Sequence, residues 1–293
     1  PLGDITYPKT TPILVENEIA VVSGALNPVS ALAQLVEYAQ FVDRYEPNEM
    51  EEVFAHENVV DLLTPNATLS ESEASEILAR YGIPTTQRFV VNSPEEAIER
   101  AHQVGFPVVM KIDSQHIPHK TEADAIRLNI SSEDEVIQAF DEIMSNARNY
   151  NPTAILNGVS VQEMLPKGME IIIGAKCDEV FGPVIMAGLG GIFVEVFKDI
   201  SFKVAPLSKR DAYALLDELQ AKTILDGARG QAPADKEAIV DVLLRDSQLM
   251  MDHKDKIKEL DINPLIVYEK GIKAVDAMIV IAEENIKKEL IGG

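Results

Sequence analysis

From Ser70 onward the apolar positions alternate between helical and strand periods. Ser70 and Glu73 carry the spacing of a capping box, Ile77 and Leu78 mark a core face, and Gly82 with Pro84 closes that helix. Arg88–Val91 predicts a strand, and Ser93-Pro94-Glu95-Glu96 a second capping box whose helix ends at Gly105. Next come a buried strand at Pro107–Ile112, a polar loop at Asp113–Glu122, a strand at Ala125–Ile130, and a helix from Ser131/Ser132 to Asn149. The second half is richer in strands, at Val159–Leu165, Glu170–Lys176, Gly182–Ala187 and Phe202–Ala205. Helices are predicted at Lys209–Leu219 and Asp235–Met251, and closing strands at Ile257–Asp261, Leu265–Tyr268 and Ala274–Ile281. Strand–helix units followed by a mixed sheet predict an α/β or α+β protein of two lobes, without a short internal repeat.

Residues 1–69 stand apart, punctuated by Pro8, Pro12, Pro28, Pro47 and Pro65. One helix is well marked there, with Asn27 as N-cap, Pro28 at the first helical position and an apolar face of Leu32, Leu35, Val36 and Ala39. A second is expected around Met50–Leu63. No site chemistry appears in the segment, which reads as a linker or the tail of a preceding domain. The lobes are expected at 70–165 and 166–293.

Length and charge narrow the functional classes. The 293 residues, 46% hydrophobic and 25% charged, suit two soluble lobes with cores of their own. A net charge of −22 argues against a nucleic-acid backbone or an anionic membrane as the main partner. A nucleotide needs only a local basic pocket and a divalent cation, so it remains allowed. Cys177 stands alone, which excludes an intrachain disulfide and a cysteine zinc site and fits a reducing cytosol. The uncharged run Phe181–Val194 is too short and glycine-rich to span a bilayer, and no signal-peptide pattern opens the chain. A chain beginning at Pro1 rather than Met is expected to be trimmed, tagged or part of a longer polypeptide.

Several groups carry candidate chemistry. Gly188-Leu189-Gly190-Gly191 lies between two apolar runs, where glycines either expose backbone N–H groups to an anion or make a tight turn. Glu195, after it, is placed to face a metal or a ribose. Lys111 sits inside an apolar strand, so its ammonium either snorkels to an edge or meets an anion. The adjoining loop supplies His116, His119 and Lys120; a histidine there is either solvated or a phosphoryl-accepting nucleophile. His56, His102 and His253 lack such surroundings and read as structural or exposed. Val161-Gln162-Glu163-Met164-Leu165 ends a strand in a way that suits a purine edge or an ordinary strand end. Asp261 and Asn263 share a strand face, and Asp276 can join them from a neighbouring strand. A few oxygen ligands completed by phosphate oxygens are what Mg²⁺ prefers.

In this order and at these spacings, Pro107–Lys120, Val161–Met164, Phe181–Ser201 and Glu259–Leu265 resemble the nucleotide-binding β part of the ADP-forming acyl-CoA (acetyl-CoA) synthetases. These are relatives of succinyl-CoA synthetase with a two-lobed ATP-grasp fold, and the resemblance covers about Ser70 to Ile281. It implies reversible formation of ATP from ADP and phosphate at the expense of an acyl-CoA thioester, through phosphohistidine. By motif it implies that Lys111 contacts nucleotide phosphates and that His119 relays the phosphoryl group. Glu163, Met164 and Leu165 would line the adenine, Glu170 would lie near the ribose, and Gly188, Gly190 and Gly191 would shape the phosphate loop. Asn263 and Asp276 would hold Mg²⁺, with Asp261 close by.

One departure stands beside the relay histidine. The family usually follows the His-Lys pair with an acid, a small residue and Gly-Gly, where this chain has Asp124 and Ala125. Both replacements should stiffen the loop, and Asp124 adds a negative charge near the phosphate path. No CoA-binding domain is recognisable, so the resemblance implies a CoA-binding α subunit or fused domain as partner, in a cytoplasmic hetero- or homo-oligomer. Two other readings remain open at this level: a nucleotide-sensing module without turnover, as in protein acyltransferases with a synthetase-like region, and a carboxylate–amine ligase needing no histidine.

Overall fold

A computed structural model describes residues 11–17, 26–44, 54, 56–63, 68–117, 119–191, 197–227 and 232–282. The chain divides into two compact units, Pro1–Glu49 and Met50–Gly293. The first contains α1 (Thr11–Glu16) and α2 (Leu26–Arg44). The latter opens at Leu26, so Asn27 lies inside the helix rather than at its cap. Val29, Leu32, Leu35 and Val36 are exposed on it.

The second unit is built on two antiparallel sheets. After α3 (Glu71–Arg80), β1 (Arg88–Val91) leads to α4 (Pro94–Val104), β2 (Val108–Asp113), β3 (Ile126–Ile130), α5 (Glu133–Tyr150) and β4 (Gly158–Glu163). These four strands pair in the order β1-β4-β2-β3. Helices start where their caps predict: Ser70 and Glu73 close a full capping box, and Ser93 and Ser132 accept from the backbone of Glu96 and Glu135. The second predicted box is only half made, because the Glu96 carboxylate reaches back to the Asn92 N–H instead of Ser93.

The larger sheet takes β5 (Met169–Asp178), β6 (Gly182–Leu189), β7 (Ile200–Val204), β8 (Ile257–Val267), β9 (Ile272–Ala274) and β10 (Ala277–Ile281), in the order β10-β8-β5-β6-β7 with β9 also on β8. Its helices are α6 (Lys209–Asp217) and α7 (Lys236–Asp252). Two expected strands, Ile257–Asp261 and Leu265–Tyr268, are one continuous strand. The register slips between Ile173↔Ile262 and Ile171↔Leu265, so Asn263 and Pro264 form a bulge rather than a turn. Conversely, Ala274–Ile281 divides, leaving Val275 and Asp276 between β9 and β10.

Each sheet has its own apolar core. Val108, Met110, Ile112, Val159 and Val161 pack with α4 and α5 residues. Ile171, Ile173, Ile185, Leu260 and Ile262 pack with α6, α7 and α3, whose Ile77 and Leu78 are fully buried. The helix expected at Met50–Leu63 is absent among the described residues. Tertiary contacts override the local pattern there. The Phe54 backbone exchanges two hydrogen bonds with the Gln248 side chain, and the Glu57 N–H donates to the Arg80 carbonyl. His56 stacks on Tyr81 and pairs with Asp252.

Asp246 on α7 is fully buried, and neither carboxyl oxygen has a hydrogen-bond partner. Burial, with the Asp261 charge adding to it, pushes its carboxyl up to about 8. The folded state therefore binds a proton that the unfolded chain has released above its ordinary carboxylate range, so this stability contribution fades as pH rises toward about 8. Asp246→Asn should grow more stable relative to wild type across that window, by on the order of a few kcal/mol. Urea unfolding of both proteins at pH 5, 7 and 8.5 measures it; a pH-independent difference would contradict it.

Candidate active site

The polar face of the small sheet meets the start of α3 and the β9–β10 connection. β2 buries Met110 and Ile112 in its core, so by the two-residue period Lys111 and Asp113 point the other way. Both are 2% exposed. The Lys111 Nζ lies 2.5 Å from Glu71 Oε1 and also contacts Asp276. The same Glu71 carboxylate receives Arg88 at 2.5 Å and Lys120 at 2.9 Å. Burial opposes the Glu71 charge, but Lys111, Arg88 and Lys120 hold its carboxyl well below the usual carboxylate range. Burial raises the Asp276 carboxyl; Lys111 opposes that rise and Glu71 adds to it.

Backbone clamps place Asp276. The Val275 carbonyl accepts from Arg88 at 2.6 Å and from the Gln162 amide at 3.0 Å. The Asn263 N–H donates to the Asp276 carbonyl at 3.1 Å, which sets the two residues side by side. Leu260, Ile262 and Leu265 face the core, leaving Asp261 and Asn263 on the opposite face. Asp261 is two residues farther along, opposite Met278, and its carboxyl is pushed up to about 6 by burial and by Glu259. Among the described residues no three acidic, histidine or cysteine side chains converge as a metal site. A divalent cation at Asn263 and Asp276 would depend on phosphate and water oxygens for the rest of its shell.

The glycine run and Glu170 come together. β6 places Gly188 opposite Ile172, and the Gly190 N–H donates to the Glu170 carbonyl at 2.7 Å. A Cβ on Gly190 would lie 2.7 Å from the Glu170 Cβ, so only glycine fits. Gly191 takes φ +61°, which favours glycine as well. Glu195 lies outside the described residues. Glu163 ends β4, where its carboxylate accepts from the Gln87 N–H at 2.7 Å and from Lys273 at 2.6 Å. Met164 and Leu165 follow, half-buried, on the link between the two sheets.

His119 is exposed on the loop, next to Lys120. His116 is structural: its Nδ1 accepts from the Ile155 N–H at 3.1 Å. The departure at Asp124 is accommodated. Asp124 takes φ +48°, a left-handed conformation that Asp tolerates better than most residues. Its carboxylate is directed at Arg127 (2.9 Å) and Asn146 (3.0 Å), which offsets the added charge. Ala125 is buried, and its N–H donates to the Lys120 carbonyl at 2.9 Å.

The site holds residues that sequence reasoning did not single out: Glu71, Arg88, Asp113, Ser160 and Gln162. Ser160 Oγ, Gln162 Oε1 and Arg88 Nε are buried without hydrogen-bond partners. Native interiors seldom leave such atoms unpaired, so they fit a polar ligand. In the ion-pair cluster itself, Arg88, Lys111 and Lys120 meet two carboxylates, Glu71 and Asp276, which suits an anionic ligand.

Two antiparallel sheets with a cationic polar seam between them define the class, and comparison with known proteins defines the member. Residues 62–281 match the ATP-grasp domain model. The chain is 45% identical over 227 residues to the β subunit of the ADP-forming acetate–CoA ligase I of Pyrococcus furiosus, covering 78% of this chain and 97% of that one. It is 36% identical over 288 residues to the ADP-forming acetate–CoA ligase I of Archaeoglobus fulgidus, spanning 97% of this chain and 42% of that longer one. An acetyl-coenzyme A synthetase of Ca. Korarchaeum cryptofilum, solved with coenzyme A and Ca-AMPCP, superposes with TM-score 0.72 at 44% identity, covering 74% of this chain and 94% of that chain. The chain belongs to the ATP-grasp family, as the β part of an ADP-forming acyl-CoA synthetase.

Asp124→Ala should cost about 1–2 kcal/mol, since it combines a disfavoured φ with the loss of the Arg127 and Asn146 contacts. Asp124→Asn should cost less. Denaturant midpoints of the two variants decide it, and equal midpoints would refute the accommodation.

Proposed function

We propose that this chain binds ATP or ADP with Mg²⁺ between lobes formed by residues 70–165 and 166–293, and exchanges a phosphoryl group with His119. The observation that carries the reading is the buried cluster of Arg88, Lys111 and Lys120 around Glu71, beside the His119 loop and the Asn263–Asp276 pair. A solved Ca. Korarchaeum cryptofilum relative, 42% identical, holds Mg-AMPPCP with a phosphohistidine segment pointing towards the nucleotide site.

Lys111 neutralises phosphate charge from inside a strand, where a low-dielectric wall strengthens the attraction. Gly188, Gly190 and Gly191 let backbone approach the phosphates, Glu170 meets the ribose, and Glu163 to Leu165 border the adenine. Asn263 and Asp276, with Asp261 nearby, hold Mg²⁺, which supplies charge neutralisation on the phosphate oxygens. The His119 imidazole attacks the terminal phosphorus; the N–P bond forms as the bridging P–O bond breaks, and ADP leaves with the bonding electrons. Reversal makes ATP.

Acyl and CoA chemistry belongs to an α subunit or fused domain, with residues 1–69 as the segment adjoining it and a hetero-oligomer as the assembly. The relative from Pyrococcus furiosus is itself a β subunit. No described helix is long and apolar enough to cross a membrane. The accommodated Asp124 removes the main reason for preferring a sensor without turnover.

Calorimetric titration of the full chain with Mg·ADP should show binding, and Lys111→Met should weaken it by about tenfold or more. Incubation with γ-labelled ATP should leave an acid-labile, base-stable label that His119→Asn abolishes. Binding without label would favour the sensor; absence of binding by the folded chain would end the nucleotide reading.

A further inference from the structure

We infer that Glu71 is a positioning residue that keeps Lys111 and Lys120 aimed into the site when Asp276 turns from Lys111 toward a divalent cation. The inference rests on the nucleotide reading above and concerns a residue which that reading leaves without a role.

Lys111 bridges two carboxylates of different character. Glu71 is 5% exposed, with its side chain fixed by Arg88 and Lys120 as well as Lys111. The Asp276 side chain is 39% exposed and sits between two strands, beside Asn263. Only the second can swing to a cation without breaking the core. A cation on Asp276 competes with the Lys111 ammonium for the same oxygens, and like charges repel. Lys111 then keeps one carboxylate partner, Glu71. The Glu71 carboxylate is anchored from α3, so the ammonium stays within its present reach rather than following Asp276 or withdrawing along its flexible stem. Lys120, next in sequence to His119, pairs with the other oxygen of the same carboxylate at 2.9 Å.

Glu71→Gln removes this second anchor while keeping the shape. Lys111 is then left with Asp276 as its one carboxylate, and that pair resists the cation. Removing a negative charge near the phosphates should leave metal-free ADP binding unchanged or tighter. The signature is therefore a loss of coupling between Mg²⁺ and nucleotide, not a uniform loss of affinity.

The test is calorimetric titration of the full chain with ADP in EDTA and with ADP plus excess Mg²⁺. The ratio of the two dissociation constants should fall by about tenfold in Glu71→Gln, within the usual range of such couplings. Glu71→Asp, which keeps the charge but withdraws it by one methylene, should lower the ratio by a smaller factor and covers the case where the Gln variant fails to fold. A ratio equal to wild type in a folded variant, or equal weakening with and without Mg²⁺, would overturn the role. Wild-type protein that binds no ADP under either condition would sink the nucleotide reading instead.

Discussion

The structure of the larger unit turns on one buried carboxylate. Its two sheets have separate apolar cores, one packed against α4 and α5 and the other against α3, α6 and α7. Glu71 projects from α3 in the second core and meets Arg88 and Lys111 from the strands of the first. Such a seam is costly to desolvate, and removing one partner from it leaves unpaired buried charge. A dry hydrophobic joint would hold the sheets together with less penalty.

That constraint explains why strand chemistry and site chemistry coincide. Lys111 has apolar neighbours on both sides in sequence, and the alternation of β2 turns them into the core while turning Lys111 out of it. Gln162 does the same on β4, beside β2, and helps clamp the Val275 carbonyl. The break between β9 and β10 then follows. With its preceding carbonyl held by Arg88 and Gln162, Asp276 leaves the ladder and presents its carboxylate to the seam.

Much of this was legible in the amino-acid sequence because local physics dominates it. Ser70, Ser93 and Ser132 cap helices where a hydroxyl precedes an acid at the right spacing, and Gly105 ends one at φ +95°. Lys111, Asn263 and Asp276 stood out as polar groups among apolar ones. Glu71 did not. It lies between Ser70 and Glu73, whose capping box already accounts for acid at a helix start, and its partners come from positions 17, 40 and 49 residues away. No local period encodes a contact of that kind. Among the described residues the helix expected at Met50–Leu63 is absent for the same reason: Phe54 and Glu57 are satisfied by α7 and α3, not by their own neighbours.

The loop beside His119 shows how a replaced glycine can be read only in three dimensions. In sequence, Asp124 is a lost glycine and an added charge. In the structure, its φ of +48° is one that Asp tolerates, and Arg127 and Asn146 engage its carboxylate. Arg127 lies three residues downstream on β3 and Asn146 on α5, so the compensation comes from the small sheet that carries Lys111 and from a helix packed on it. Ala125 costs no left-handed backbone, because its φ is not positive. The conformation that glycine supplies by its freedom is supplied here by an asparaginyl-like turn residue and two fixed partners. A loop so held is stiffer than one of two glycines.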